Sequence, residues 1–482
     1  MGYLDDFVQF SHQLSNLFAA TVFVKSEYLD QLVSAIAVAA SLREDYVRLL
    51  ASIIISFPLI ILQNFIRSPT VKKIYTITIG VSLLQFCFGV GWIHSFISGL
   101  VVYLLMRFSN PRKQPIYVFV FSLCYLSLSA LYTMLTDYMS YTLDSTTYQM
   151  MLVSRFQMLA WSVFDGTVDR AVVDKGAAQT DRWGRIYKRR QAEYVTSLPS
   201  LLDYFSFVYH YPGILGGPNT YYREFIDIIE NRRYPYGAIP AGRWRWAALN
   251  LGKGVLFLGL FVAASIWVPE SALLEEAFAQ RWLGTRIAIA YLTYVGVRFR
   301  YYGLWKLGES LCICGGYGET EKGKWDGISN VDIVDFEFCT SMSMATHAWN
   351  KRTQRWLQMC IYERSHFNQL YVFLVSAFWH GFYPSYYLCF LTGSGLQAVN
   401  KIAHSKLWPY VSGSKWEKVF LRLGNVYIMM MGTFMFGAMF SYSFEKAWAV
   451  WKALDFYGLW QLVVSFLILL LVPAGKPKEK KE

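Results

Sequence analysis

Long apolar runs separated by short polar or basic segments dominate the hydropathy pattern of this chain. Several approach the ~20 residues that a helix needs to cross the hydrocarbon core of a bilayer, and none is suited to solvation by water. The shorter runs contain polar residues or end at Gly, Pro or His, which favours burial among other helices or a break around a cavity. The nearly charge-free runs are Val47–Phe65, Ile74–Val90, Ile116–Leu135, Val255–Trp267, Ile287–Val297, Leu370–Trp379, Val426–Phe440 and Leu459–Ala474.

The pattern predicts an all-α polytopic membrane protein with roughly eleven transmembrane helices, some of them broken or re-entrant. We divide the chain into N-terminal short helices (1–46), a membrane-embedded domain (47–474) and a basic tail (475–482). The apolar segment Tyr148–Phe164 carries Arg155, so we expect it to face protein and not lipid.

Two segments interrupt this helical pattern. The Gly-Pro segment (Tyr209–Phe225) reads YHYPGILGGPNTYYREF, which is incompatible with a continuous helix. A second irregular stretch runs from Gly315 to Asn350. We find no internal repeat, which argues against a transporter built from duplicated halves.

Composition and charge agree with a membrane protein. Of 482 residues, 55% are hydrophobic and only 16% are charged, whereas about a quarter is usual in soluble chains. The net charge of +12 is explained by Lys and Arg in cytosolic loops and does not require a nucleic-acid partner. The same basic loops could also attract a polyanionic substrate.

The start of the chain, Met1–Phe10, does not resemble a cleavable signal peptide. Near the end, Lys478 and Lys480 have the spacing of a dilysine retrieval signal, from which we expect the endoplasmic reticulum membrane; a charged tail that serves only solubility is the alternative.

His380 is the first candidate for chemistry. It ends the apolar run Tyr371–Trp379 and precedes Gly381, so it lies at membrane depth near a break. An ionisable group there is costly unless it faces a cavity or a partner, which makes function the default hypothesis. Ser376 lies one helical turn earlier and could hydrogen-bond the imidazole. A neutral imidazole could act as a general base.

The second candidate is Asn350, within the run HAWNKRTQRWLQMCIYER (His347–Arg364). The spacing of Trp and Arg in this run is also that of an amphipathic interfacial helix, and that interpretation remains open. The carboxamide of Asn350 could orient a substrate or stabilise a developing oxyanion. The His and carboxylate residues show no metal-ligand spacing, and no Cys or Ser has the setting of an acylated nucleophile.

Several motifs resemble those of the membrane-bound O-acyltransferases, specifically the lysophospholipid acyltransferase branch. WNKRTQRWL with a downstream YER resembles the Asn-containing motif of the family, and FWHGFYPSYY resembles its His motif. PGILGGPNTYYREF resembles the Gly-Pro motif of the branch. RYYGLWKLGES followed by KWDGISNVDI resembles its central motif. The positions are Trp349–Leu357, Tyr362–Arg364, Phe378–Tyr387, Pro212–Phe225, Arg300–Ser310 and Lys324–Ile333.

The resemblance implies a helical fold around a central catalytic chamber, reached by acyl-CoA from the cytosolic side and by a lysophospholipid from the membrane. It implies that His380 and Asn350 are the catalytic pair, and that acyl-CoA is a co-substrate with no further cofactor. Basic side chains near Asn350 would meet the CoA phosphates. We expect the substrate-binding residues to be among Trp349, Lys351, Arg352, Thr353, Arg355, Trp356, Tyr362, Arg364 and Ser376.

The sequence leaves three alternative functions open. A related acyltransferase could act on a sterol, diacylglycerol or protein. A transporter could use a membrane His as a proton relay, although Asp137 and Asp203 lie near span ends and not within spans. A catalytically dead scaffold would be expected to lack His380 or Asn350. The sequence leaves open the head group, the acyl preference, the sn-1 or sn-2 position, and whether the Gly-rich face Gly432–Gly437 makes a homodimer.

Overall fold

A computed structural model describes residues 26–40, 42–139, 142–235, 238–321 and 323–473. Within these ranges the protein is helical, and the sole β feature is one isolated bridge between Glu321 and Lys324. The all-α prediction is therefore confirmed. The predicted basic tail with its dilysine signal, and most of the predicted N-terminal short helices, lie outside the described residues.

The described α-helices are numbered in chain order. They are α1 (Glu27–Ala40), α2 (Glu44–Phe65), α3 (Pro69–Phe88), α4 (Ile93–Phe108), α5 (Gln114–Thr136), α6 (Ser145–Thr167), α7 (Arg170–Ala177), α8 (Arg182–Glu193), α9 (Leu201–Val208), α10 (Tyr222–Ile229), α11 (Arg243–Trp267), α12 (Glu276–Ala279), α13 (Leu283–Cys314), α14 (Ile333–Glu337), α15 (Met342–Ala348), α16 (Lys351–Trp356), α17 (Gln369–His380), α18 (Pro384–Val411), α19 (Glu417–Met439), α20 (Phe444–Ala453) and α21 (Tyr457–Leu471).

Five helical segments of the described chain are long and apolar enough to cross a membrane, or six if α20 and α21, bent by 70°, form one span. The prediction of roughly eleven spans is not confirmed. Other apolar runs belong to helices that are too short or too polar to qualify. α17, for example, has 12 residues and is about 18 Å long. The five segments are Glu44–Phe65, Pro69–Phe108, Gln114–Thr136, Arg243–Leu274 and Glu417–Met439.

The chain divides into two compact units. The first comprises residues 1–251 and 307–329. Within it, Arg155 of α6 is fully buried, in agreement with the prediction that this helix faces protein. Its guanidinium donates to the carbonyls of Phe207 and Val208 at 3.0 Å, to the carbonyl of His210 at 3.1 Å, and to Oδ1 of Asn219 at 3.0 Å. One cation thus ties α6 to the end of α9 and to the Gly-Pro segment.

The Gly-Pro segment is irregular, as its sequence predicts. α9 ends at Val208, a 3₁₀ turn covers Tyr211–Gly213, and α10 begins at Tyr222. Gly213 leaves no room for a side chain, because an added Cβ would lie 2.4 Å from the carbonyl oxygen of Pro218. Close backbone approach therefore requires glycine there.

The second unit comprises residues 252–306 and 330–482. An ion pair within it joins α13 to α14: the guanidinium of Arg298 donates two hydrogen bonds of 2.8 Å to the carboxylate of Glu337. The hydroxyl of Tyr302 donates to the same carboxylate at 2.7 Å. Asn425 of α19 donates to the carbonyls of Glu337 and Cys339 at 3.0 and 2.9 Å. These contacts fix the segment that precedes Asn350.

Candidate active site

A cavity of about 480 Å³ lies within the second unit. Residues from each of the helices α13 to α19 line it. Most of the wall is aromatic or aliphatic, as in Trp305, Phe373 and Phe436. About a third of the lining residues are polar, and His380, Asn350 and His347 are among them.

His380 is the last residue of α17. The helix begins where the Asn368 side chain accepts the backbone N–H of Tyr371 at 3.0 Å, an N-cap interaction. It ends because Gly381 adopts φ +118°, a conformation that favours glycine. The His380 ring is held between aromatic neighbours, 4.8 Å from Trp379 and 5.2 Å from Phe390, measured between ring centroids. The imidazole is therefore confined at the helix end and borders the cavity.

Asn350 occupies the N-cap of α16 in a left-handed conformation, with φ 44° and ψ 50°. Asn tolerates this region better than most residues. The helix after it passes without a break into a π-helical turn, Leu357–Tyr362, a distortion that is frequent at functional sites. Thr353, Leu357 and Tyr362 line the same cavity as Asn350.

Only part of the predicted substrate-binding set lines this cavity. Trp349, Thr353, Tyr362 and Ser376 do so, together with the predicted catalytic pair. Within the described chain no hydrogen bond joins Ser376 to His380, so the predicted contact between them is not observed.

The other predicted residues lie outside the lining of this cavity. Lys351 forms an ion pair with Asp332, with 2.6 Å between Nζ and Oδ2. The side chain of Arg352 is buried, and Nε of Arg364 donates to the carbonyl of Met359 at 3.3 Å. The role of these cations towards CoA phosphates stays a prediction. Two residues complete the set: Trp356, whose ring packs 5.4 Å from that of Trp379, and the half-buried Arg355.

Sequence reasoning missed several lining residues on α18. Cys389, Phe390, Gln397 and Lys401 border the cavity. Gln397 is 7% exposed, and its Oε1 has no hydrogen-bond partner in the described part of the chain. Lys401 Nζ donates to Oε1 of Gln369. Phe390, Gln397 and Lys401 follow a helical spacing, which would have been the available signal.

The helical fold, the apolar spans and a cavity bearing His and Asn define a multi-pass membrane protein with a candidate catalytic site. A model of the membrane-bound O-acyltransferase family matches residues 130–406, more than half of the chain. The chain belongs to the membrane-bound O-acyltransferase family. The resemblance seen in the sequence motifs is thereby confirmed. The family name denotes acyltransferases, which supports the prediction of an acyltransferase enzyme.

Similar curated proteins bear related names. The chain is 33% identical to lysophospholipid acyltransferase 6 of Drosophila melanogaster, over 68% of this chain and 47% of that protein. It is 26% identical to a lysophospholipid acyltransferase of Schizosaccharomyces pombe, over 91% of this chain and 87% of that protein. It is 27% identical to human membrane-bound glycerophospholipid O-acyltransferase 2, over 86% and 81%. The match thus spans less than half of the fly protein but most of the yeast one.

Proposed function

We propose that this protein transfers an acyl group from acyl-CoA to the free hydroxyl of a lysophospholipid in the endoplasmic reticulum membrane, a step of phospholipid remodelling (the Lands cycle). The observation that carries the proposal is the shared cavity of His380 and Asn350. Two polar groups with complementary chemistry border one largely apolar space. Its volume of about 480 Å³ falls within the usual range for ligand sites.

The proposed chemistry is direct acyl transfer. The acceptor hydroxyl gives its proton to His380 as its oxygen attacks the thioester carbonyl. A carbon–oxygen bond forms, the carbon–sulfur bond breaks, and the departing CoA sulfur takes up the proton. General-base help of this kind contributes about 10²–10⁴ in rate.

The proposed role of Asn350 is to hydrogen-bond a reacting group with its side chain. Its carboxamide would hold the thioester carbonyl or a polar group of the acceptor. A preorganised donor to a developing oxyanion is worth about 10²–10³ in kcat. The aromatic wall would hold the acyl chain and exclude water, which protects the thioester from hydrolysis.

A substrate panel tests the proposed function. Purified protein in lipid nanodiscs receives radiolabelled acyl-CoA together with lysophosphatidylcholine, other lysophospholipids, diacylglycerol, a sterol or an acceptor peptide. Acylation of a lysophospholipid with release of one CoA per product is the expected result. Acylation of only diacylglycerol, sterol or peptide would contradict the acceptor class, and transfer to none of the acceptors would contradict the activity.

A further inference from the structure

The helix that follows Asn350 is capped by a residue distant in the sequence. An Asn at an N-cap normally accepts a backbone N–H of the first helical turn with its own side chain. Asn350 makes no such bond. Instead, Oδ1 of Asn330 accepts the N–H of Arg352 at 3.1 Å, and the carbonyl of Asn330 accepts the N–H of Lys351 at 2.8 Å.

Further contacts fix Asn330 beside this helix. Asn330 is 2% exposed. The ammonium of Lys306 donates a hydrogen bond of 2.9 Å to the carbonyl of the next residue, Val331. The backbone N–H of Asp332 donates to the carbonyl of Ala348 at 2.9 Å. The segment from Asn330 to Asp332 therefore forms hydrogen bonds with the chain just before Asn350, at Ala348, and just after it, at Lys351 and Arg352.

We propose that Asn330 is a positioning residue that keeps the carboxamide of Asn350 available to substrate. In an N-cap residue with an extended backbone, the N–H of Arg352 is the group that the Asn350 side chain would accept; in the left-handed conformation that Asn350 adopts, its side chain makes no cap bond. Because Asn330 already accepts that N–H, the Asn350 carboxamide is left to border the cavity. Without Asn330, Asn350 leaves the left-handed region for the extended conformation of an ordinary N-cap residue and caps its own helix. This inference rests on the proposed catalytic role of Asn350.

The consequence differs from that of an ordinary structural residue. In Asn330→Ala the side chain of Asn350 accepts the N–H of Arg352. The helix therefore keeps a cap, and the free energy of unfolding changes little. Catalysis falls, because the carboxamide has left the cavity. Asn330→Asp keeps a side-chain acceptor, and a carboxylate near a helix N-terminus is favourable, so this variant retains kcat.

The kinetic test measures kcat and KM for acyl-CoA, and the thermal midpoint, of purified protein in nanodiscs. We expect Asn330→Ala to lower kcat about 10²-fold, as loss of an oxyanion donor does, with Asn330→Asp within about threefold of wild type. The double variant Asn330→Ala/Asn350→Ala should be no slower than Asn350→Ala alone, because both act through one group. A wild-type kcat in Asn330→Ala, or fully additive losses in the double variant, overturns the inference.

Asn425→Ala is the matched control. Asn425 also binds the backbone that precedes Asn350, at the carbonyls of Glu337 and Cys339, but in the described part of the chain it makes no hydrogen bond to α16. Its loss should lower the thermal midpoint while kcat stays within about threefold. An equal fall of kcat in Asn425→Ala and Asn330→Ala overturns the specific role of Asn330.

A structure of Asn330→Ala tests the inference without any activity. We expect Oδ1 of Asn350 within hydrogen-bond distance of the N–H of Arg352. A carboxamide that still borders the cavity overturns the inference, whatever the substrate proves to be. An inactive wild-type protein, in contrast, overturns only the proposed function.

Discussion

Replacing Arg155 tests whether one buried cation holds the Gly-Pro segment in place. The guanidinium is fully buried and donates to four acceptors, at the end of α9 and within the Gly-Pro segment. In Arg155→Met the aliphatic part of the side chain is nearly kept, but the four hydrogen bonds from the guanidinium are lost. We expect a strongly destabilised protein with a native helix content.

The magnitude follows from these four contacts. A hydrogen bond from a charged donor contributes about 1.5–3 kcal/mol, but burying the guanidinium itself costs several kcal/mol. A buried neutral acceptor left without a donor costs about 1–3 kcal/mol, and loss of the buried charge offsets part of this cost, so we expect a net destabilisation of about 3–5 kcal/mol. That corresponds to a fall of roughly 10 °C in the thermal midpoint of a unit of this size. Arg155→Lys should be intermediate, because one ammonium cannot reach all four acceptors.

The assay is thermal unfolding of purified protein in detergent, followed by tryptophan fluorescence. Arg112→Met is the matched control in the same unit, since Arg112 is exposed. Surface changes of this kind stay within about 0.5 kcal/mol. Equal midpoints for Arg155→Met and Arg112→Met would refute the idea that Arg155 anchors the segment.

The remaining predictions concern the cavity wall. Gln397→Leu removes a buried acceptor that lacks a partner in the described chain, so we expect an unchanged or raised thermal midpoint. We also expect kcat/KM to fall about tenfold, which corresponds to a loss of about 1.4 kcal/mol of substrate binding. A lower thermal midpoint with unchanged kcat/KM would contradict this. Ser376→Ala should lower kcat less than tenfold, because no hydrogen bond joins Ser376 to His380 in the described chain; a loss as large as that of His380→Ala would show a shared role. Cys389 borders the same cavity, yet direct transfer predicts no acyl adduct on it after acyl-CoA alone, and mass spectrometry of the intact protein and its peptides would detect one.

Parts of the site follow directly from sequence. The Gly after His380 marks the helix end, because only glycine readily adopts φ +118°. The prolines and glycines of the Gly-Pro segment exclude a continuous helix, and Arg155 in an apolar run indicates a face turned to protein. Each of these features is local, so the residue itself carries the signal.

Other parts depend on contacts that local sequence does not encode. The pairing of Asn330 with the N–H of Arg352 joins residues separated by α14 and α15. Likewise, Gln397 borders the cavity because of how α18 is rotated in the second unit, and tertiary packing decides that rotation. The number of membrane spans could not be predicted either, because apolar runs in short helices such as α17 have the same hydropathy as runs that cross the membrane.

The kcat for acyl transfer to a lysophospholipid by His380→Ala, measured beside wild type and His404→Ala, tests directly whether His380 is the general base. His404 is an exposed histidine of the second unit, so it controls for loss of an imidazole. If His380 is the general base, His380→Ala loses about 10²–10⁴ in kcat, with an unchanged thermal midpoint, while His404→Ala stays within about twofold. A His380→Ala variant that turns over at the rate of His404→Ala would contradict a general-base role for His380.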